Sequence, residues 1–238
     1  MAGDRRLRIL SELNRGSAGE ARTLCDVGAE VTHMSGAGIM LMSGDVPRGS
    51  ACTTNDVSAL IEELQYALGE GPCVDAYHEE RPVLEPDLAH PSEPRWPAFT
   101  APALEAGARA VFGFPLQVGA VRLGALNFYR DRPGPLSEDQ HADALVMADV
   151  AAQAVLAMQA GAPPGELAAE LEASADFRYV VHQASGMVAA QLDVSVGVAL
   201  IRLRAYAFAN DRPLSDVAEA VVARTLRFGG PEDRDPQA

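Results

Sequence analysis

The chain has no lysine. All 19 of its basic residues are arginine, set against 33 acids for a net charge of −14. Beside so much Ala, Val and Gly, that bias points to a GC-rich coding sequence rather than to mechanism. A uniformly acidic protein is repelled by nucleic acid and by anionic membranes. Cysteine is scarce too. Cys25, Cys52 and Cys73 are odd in number and form no CxxC pair, which predicts thiols in a reducing cytoplasm rather than a disulfide framework. No apolar run follows the basic start, so no signal peptide is expected. No stretch of 18 residues is both apolar and uncharged, so no membrane span is expected.

Recognisable catalytic patterns are missing as well. His33, His78, His90, His141 and His182 are scattered, with no HxxxH or HExxH and no cysteine at ligand spacing, so no metal site is expected. The "GEGP" at 69–72 lacks the Lys-Ser/Thr of a phosphate loop, no GxGxxG opens a helix after a strand, and GxSxG is absent. Cys73 beside Pro72 reads as a half-buried small residue rather than a redox thiol. Glu79, Glu80 and Glu85 read as a solvated turn rather than an acid–base pair. With no nucleophile–base pair at usable spacing, the chain is not expected to be an enzyme or to carry a cofactor.

What is present is enough apolar residue, 48% of the chain, to build a core, over a length that suits one large domain or two modest ones. The charge is uneven. Residues 1–173 hold 12 Arg against 25 acids, whereas residues 177–228 hold 6 Arg against 4 acids. A basic module behind an acidic one is an asymmetry that hints at nucleic acid.

Periodicity supplies the elements. "DRRLRILSEL" and "GEARTLCDVGAEVTH" read as helices, the second placing Ala21, Leu24, Cys25, Gly28 and Val31 on one face. "GAGIMLMSG" and "GSACTTND" read as a strand hairpin around "GDVPRG". "DVSALIEELQYALGEGPC" reads as a helix capped by Asp56, and "RPVLEPDLA" as a short strand between prolines. "PRWPAFTAPALEAGA" reads as a turn and a helix, and "ARAVFGFPLQVGAVRLGALNFYR" as two strands joined at "QVGA". Ser137 caps one helix of more than 20 residues, whose Ala-rich face suits pairing with a second copy. "GAPPGE" marks a boundary, after which three helical segments follow, with Ser195 and Ser215 as caps for the second and third. The expected organisation is a helix over 1–18, an α+β sheet domain over 19–160 ending in the long helix, a linker over 161–175, a three-helix bundle over 176–228 and a frayed tail over 229–238.

In the bundle, "HQASGMV", "LIRLRAYAFANDRPL" and "LSDVAEAVV" occur in the order and spacing of an ANTAR domain, which the segment resembles. Upstream, "LGEGPCVDA", "DLAHPSEPRWPAF" and "VFGFPLQVGAVRLGALNFYR…GPLSEDQ" resemble a GAF domain of the kind joined to ANTAR in actinobacteria. The resemblance implies a six-stranded antiparallel sheet with flanking helices, followed by an RNA-binding helical module. It also implies Ala184, Ala207, Leu214 and Ala218 as structural positions of the bundle. Many members carry Lys where this chain has Ser185, and Gly186 is expected to let a neighbouring helix approach closely.

Arg204 matches the Arg of the family's "LR" pair and leads the RNA-contact candidates, with Arg202, Arg212, His182, Gln183, Ser185 and Gly186 beside it. Arginine suits the work because its planar fork binds phosphate bidentately and stacks on unpaired bases. Residues 202 and 204 splay by about 200° on a helix and cannot share one RNA surface. Tyr206 either stacks on a loop base or packs between helices. The function implied is that of a homodimeric, cytoplasmic transcription antiterminator binding a two-hairpin leader RNA, with the GAF domain sensing an unidentified small molecule. The alternative, motivated by the absent Lys and the −14 charge, is a ligand-sensing adaptor whose bundle docks protein rather than RNA. The GAF segment lacks the Asn-Lys-Phe-Asp-Glu signature of cyclic-nucleotide phosphodiesterase GAF domains, and the sequence does not define its ligand pocket.

Overall fold

Ala37, Ile39 and Leu41 alternate with Gly36, Gly38 and Met40, and this period of two decides which layer each residue of the first strand meets. In the computed structural model, which describes residues 2–15, 21–43, 46–161, 176–210 and 212–229, the chain divides into two units, 1–174 and 175–238. The residues 162–175 read as linker, the tail beyond Gly229 and the turn at 44–45 lie outside the described residues.

The first unit is an α+β domain. Its elements are α1 (Ala2–Arg15), α2 (Ala21–Thr32), β1 (Gly36–Ser43), β2 (Val46–Thr53), α3 (Asp56–Leu68), α4 (Pro72–Glu79), β3 (Val83–Glu85), α5 (Pro97–Glu105), β4 (Ala110–Val118), β5 (Val121–Arg130) and α6 (Glu138–Gly161). The strands form an antiparallel sheet in the order β2-β1-β5-β4-β3. Five strands are present among the described residues rather than the six expected. The stretch after β3, carrying Pro86, Pro91 and Pro94, makes turns instead, because proline removes ladder donors.

One sheet face presents Ile39, Leu41, Phe112, Phe114, Leu126 and Phe128 to α2 and α6, where Leu24, Val27, Ala144, Met147, Ala151 and Val155 complete the core. By length and composition α6 is apolar enough to cross a bilayer, but its Ala144, Met147, Ala151 and Val155 are buried in that core. Its N-terminus is closed by a reciprocal box: Gln140 N donates to Ser137 Oγ and Ser137 N to Gln140 Oε1, both at 3.1 Å. Gln140 also donates to Thr32 O at 3.1 Å, tying α6 to α2. Arg5 of α1 pairs with Asp139 and with Asp143 at 2.7 Å, and Arg6 with Asp149. The cap of α3 is Asn55, one residue before the expected Asp56; Ser58 N donates to Asn55 Oδ1 and Asn55 N to Ser58 Oγ, each at 2.9 Å.

Cys25 and Cys52 are joined as a disulfide between α2 and β2, which corrects the expectation of unpaired thiols. Helix packing on strand brings together two positions 27 residues apart that no spacing motif announces.

The second unit is a three-helix bundle of α7 (Asp176–Leu192), α8 (Val196–Ala209) and α9 (Leu214–Val222). Val181, Ala184 and Val188 of α7 are buried with Leu200, Leu203 and Ala207 of α8 and Leu214, Val217, Ala218 and Val221 of α9. A core of this size is small, so each of its residues carries a large share of the stability. Ser195 caps α8 as expected, accepting from Val198 N at 3.3 Å. Ser215 does not cap α9. The helix already begins at Leu214 after Pro213, and the Ser215 hydroxyl lies 3.2 Å from Asp216 Oδ1. The third helix also stops at Val222 rather than running to Phe228; the chain turns so that Phe228 is buried and its N–H donates to Gln191 Oε1 at 2.8 Å.

Candidate nucleic-acid interface

Helix α8 carries Arg202 and Arg204 and no acid. Its buried face is set by Ala199, Leu200, Leu203 and Ala207, leaving Arg202 exposed on one side and Arg204 partly buried on another. The expected splay is therefore realised. Arg212 is exposed in the turn after α8, where its guanidinium donates to Asp216 O at 3.3 Å and its N–H to Ala207 O at 2.9 Å. Tyr206 stands edge-on to Phe228 with ring centroids 5.4 Å apart, so packing rather than stacking on a partner is its role.

On α7, Gln183 is exposed and His182 partly buried. Ser185 is 1% exposed, and its hydroxyl donates to Val181 O at 2.7 Å. It is thus a core residue whose polar group is satisfied one turn back, not an RNA contact. Gly186 is exposed, and a Cβ added there meets nothing within 4 Å. The close helix approach expected of it does not occur. Ala184, Ala207, Leu214 and Ala218 are buried, as structural positions must be.

The first unit has a different candidate region, on the sheet face opposite α2 and α6. There α3 and α4 lie directly on the strands, because Gly38 and Gly113 leave room. A Cβ at Gly113 would stand 2.2 Å from Pro72 O, and one at Gly38 2.8 Å from Glu62 Oε1. Asn127 donates to Glu62 Oε1 at 3.4 Å, the Cys73 thiol lies 3.9 Å from the same oxygen, and Cys73 N donates to Gln65 Oε1 at 2.7 Å. Burial pushes the Cys73 thiol well above its ordinary pKa, and the Glu62 carboxylate acts in the same direction. The thiol is held neutral, which removes it as a nucleophile. Gln65 Nε2 and Asn127 Oδ1 are buried without a hydrogen-bond partner among the described residues. No sequence pattern announced this cluster, since its members come from α3, α4 and β5. Two open grooves border the start of α6. One of about 720 Å³ is lined by charged residues including Arg8, Asp139 and Asp143, and one of about 590 Å³ by Leu84, Phe112, Leu136 and Leu145. Among the described residues no group of three or more His, Cys, Asp or Glu side chains is arranged to hold a metal ion.

Motif residues near this region act structurally. Glu70 of "LGEGPC" accepts from Ala98 N at 3.0 Å and Phe99 N at 3.4 Å, capping α5, and Trp96 Nε1 donates to Asp75 Oδ2 at 2.8 Å. A carboxylate at a helix N-terminus meets both the free N–H groups and the positive end of the dipole.

Residues 19–156 match the GAF domain family, and residues 169–222 match the ANTAR domain family. No curated protein matches the chain. Solved structures similar to it include the GAF domain of a phosphoenolpyruvate-protein phosphotransferase from Coxiella burnetii, at 16% identity over 67% of this chain and 95% of that one, with a TM-score of 0.48. The corresponding domain from Acinetobacter stands at 14%, 68%, 96% and 0.48. A free methionine-R-sulfoxide reductase from Neisseria meningitidis, solved with its substrate, stands at 14%, 68%, 89% and 0.47. None of these likenesses bears on activity. By the first match, which spans more than half its length, the chain belongs to the GAF domain family, and with the ANTAR domain that follows it is a GAF–ANTAR regulator.

Proposed function

We propose that the chain is an RNA-binding regulator of transcription antitermination and not an enzyme. It acts as a homodimer whose ANTAR bundle takes a tandem-hairpin leader RNA. The observation that carries this reading is the acid-free helix α8 with Arg202 and Arg204, followed by the exposed Arg212, in a protein of net charge −14. Cations retained on one helix of an acidic chain suit phosphate, and arginine also suits unpaired loop bases. The GAF domain supplies the signal.

Binding of the full chain to a synthetic tandem-hairpin RNA at 50 and 200 mM salt tests the reading. Two arginine–phosphate contacts per protomer, from Arg204 and Arg212, weaken binding of each hairpin by roughly 7-fold over that range. Arg204→Ala costs about 10-fold or more, the worth of a charged hydrogen bond. Binding that is flat with salt, or no binding by a folded dimer with and without candidate ligands, favours the protein-docking adaptor instead.

A further inference from the structure

Phe208 is 71% exposed and Ile201 62%, and Phe208 is the most exposed large apolar side chain among the described residues. Both lie on α8. Their seven-residue spacing puts them within about 20° of each other around the helix, and Arg204 lies about 40° from Phe208, one turn earlier. Val198 extends the same stripe at 41% exposure. An exposed apolar stripe of this length marks a contact surface. Here it runs beside Arg204 on a helix that carries no acid. The other ring of the helix, Tyr206, already has Phe228 as its neighbour.

We propose that Phe208 is a stacking platform for an unpaired loop base of RNA, with Arg204 engaging the adjoining phosphate or base plane. The inference rests on the RNA-binding reading above and adds the residue that receives the base. A phenyl face is sequence-tolerant, because every base has a π face, while the neighbouring guanidinium supplies charge and directionality.

The test compares the full-length wild type with Phe208→Leu and Phe208→Tyr. The first keeps apolar area and removes the ring; the second keeps the ring. At so exposed a position neither change disturbs the bundle core, which circular dichroism checks. The probe is the tandem-hairpin RNA with 2-aminopurine at successive loop positions, whose fluorescence is quenched on stacking. Phe208→Leu is expected to weaken binding by about 10-fold and to abolish quenching at one loop position, while Phe208→Tyr retains both. RNA binding and quenching by Phe208→Leu equal to wild type overturn the platform and leave the RNA reading intact. A lowered dimer fraction in sedimentation with unchanged RNA affinity per dimer assigns the stripe to contact between copies, which also overturns it. Failure of the wild type itself to bind RNA overturns both readings.

Discussion

A methyl group added at Gly113 meets the Pro72 carbonyl oxygen at 2.2 Å, whereas one added at Gly186 meets nothing within 4 Å. The same residue type therefore plays opposite parts at the two positions. Gly113 of the GAF unit, like Gly38, makes room for a helix laid directly on the sheet. Gly186 of the ANTAR bundle sits on an open helix face, where it only costs helix propensity. Buried polar groups differ in the same way. The GAF unit buries Glu62, Gln65 and Asn127, with Glu62 meeting an amide 65 residues further along the chain. The described part of the bundle buries Ser185, satisfied by the carbonyl four residues before it. One unit is assembled from long-range matches, the other from local periodicity and a small apolar core.

If that contrast is right, perturbations should separate the units. Reducing Cys25–Cys52, which closes a loop of 27 residues, is expected to destabilise the GAF unit by about 3.5 kcal/mol and to leave the bundle untouched. Hydrogen exchange resolved by segment, with and without dithiol, checks this. Leu203→Ala should cost the bundle about 3 kcal/mol through a core cavity while protection in the GAF unit persists. Equal loss in both units would break the comparison. Gly113→Ala should cost the GAF unit about 3 kcal/mol, because backbone rather than a flexible side chain stands in the way. Gly186→Ala should stabilise the bundle by up to about 1 kcal/mol in a urea titration that follows it.

Smaller effects follow from the charges. Only the neutral Cys73 thiol is accommodated, so its raised pKa contributes stability below the ordinary thiol pKa of about 8.5 that is lost as pH rises further. Alkylation of the non-reduced protein should label nothing in the native state at pH 8 and one cysteine after unfolding. Asp139 is shifted the other way, its carboxyl held below the usual range by the Arg5 guanidinium. Its contribution is present above the ordinary carboxylate pKa of about 3.9 and fades as pH falls through the depressed value. Wild type and Asp139→Asn should therefore differ slightly at neutral pH and converge in acid; this exposed pair gives the smallest change of the set.

The sequence by itself determined the elements and the kind of protein. The apolar runs on either side of "QVGA" placed β4 and β5, and the Ser137 and Ser195 caps fixed where α6 and α8 begin. All of these are written within one element or its neighbours, so the chain order states them directly. The "HQASGMV" and "LGEGPC" stretches likewise carry the likeness to the ANTAR and GAF families. Only the tertiary structure decided which side chains meet. It joined Cys25 to Cys52, made Glu70 a cap for α5, turned Ser185 inward and gave Tyr206 to Phe228 while leaving Phe208 in solvent. Each of these outcomes depends on strand pairing or helix packing that brings distant positions together, and residue type alone does not encode which partner arrives.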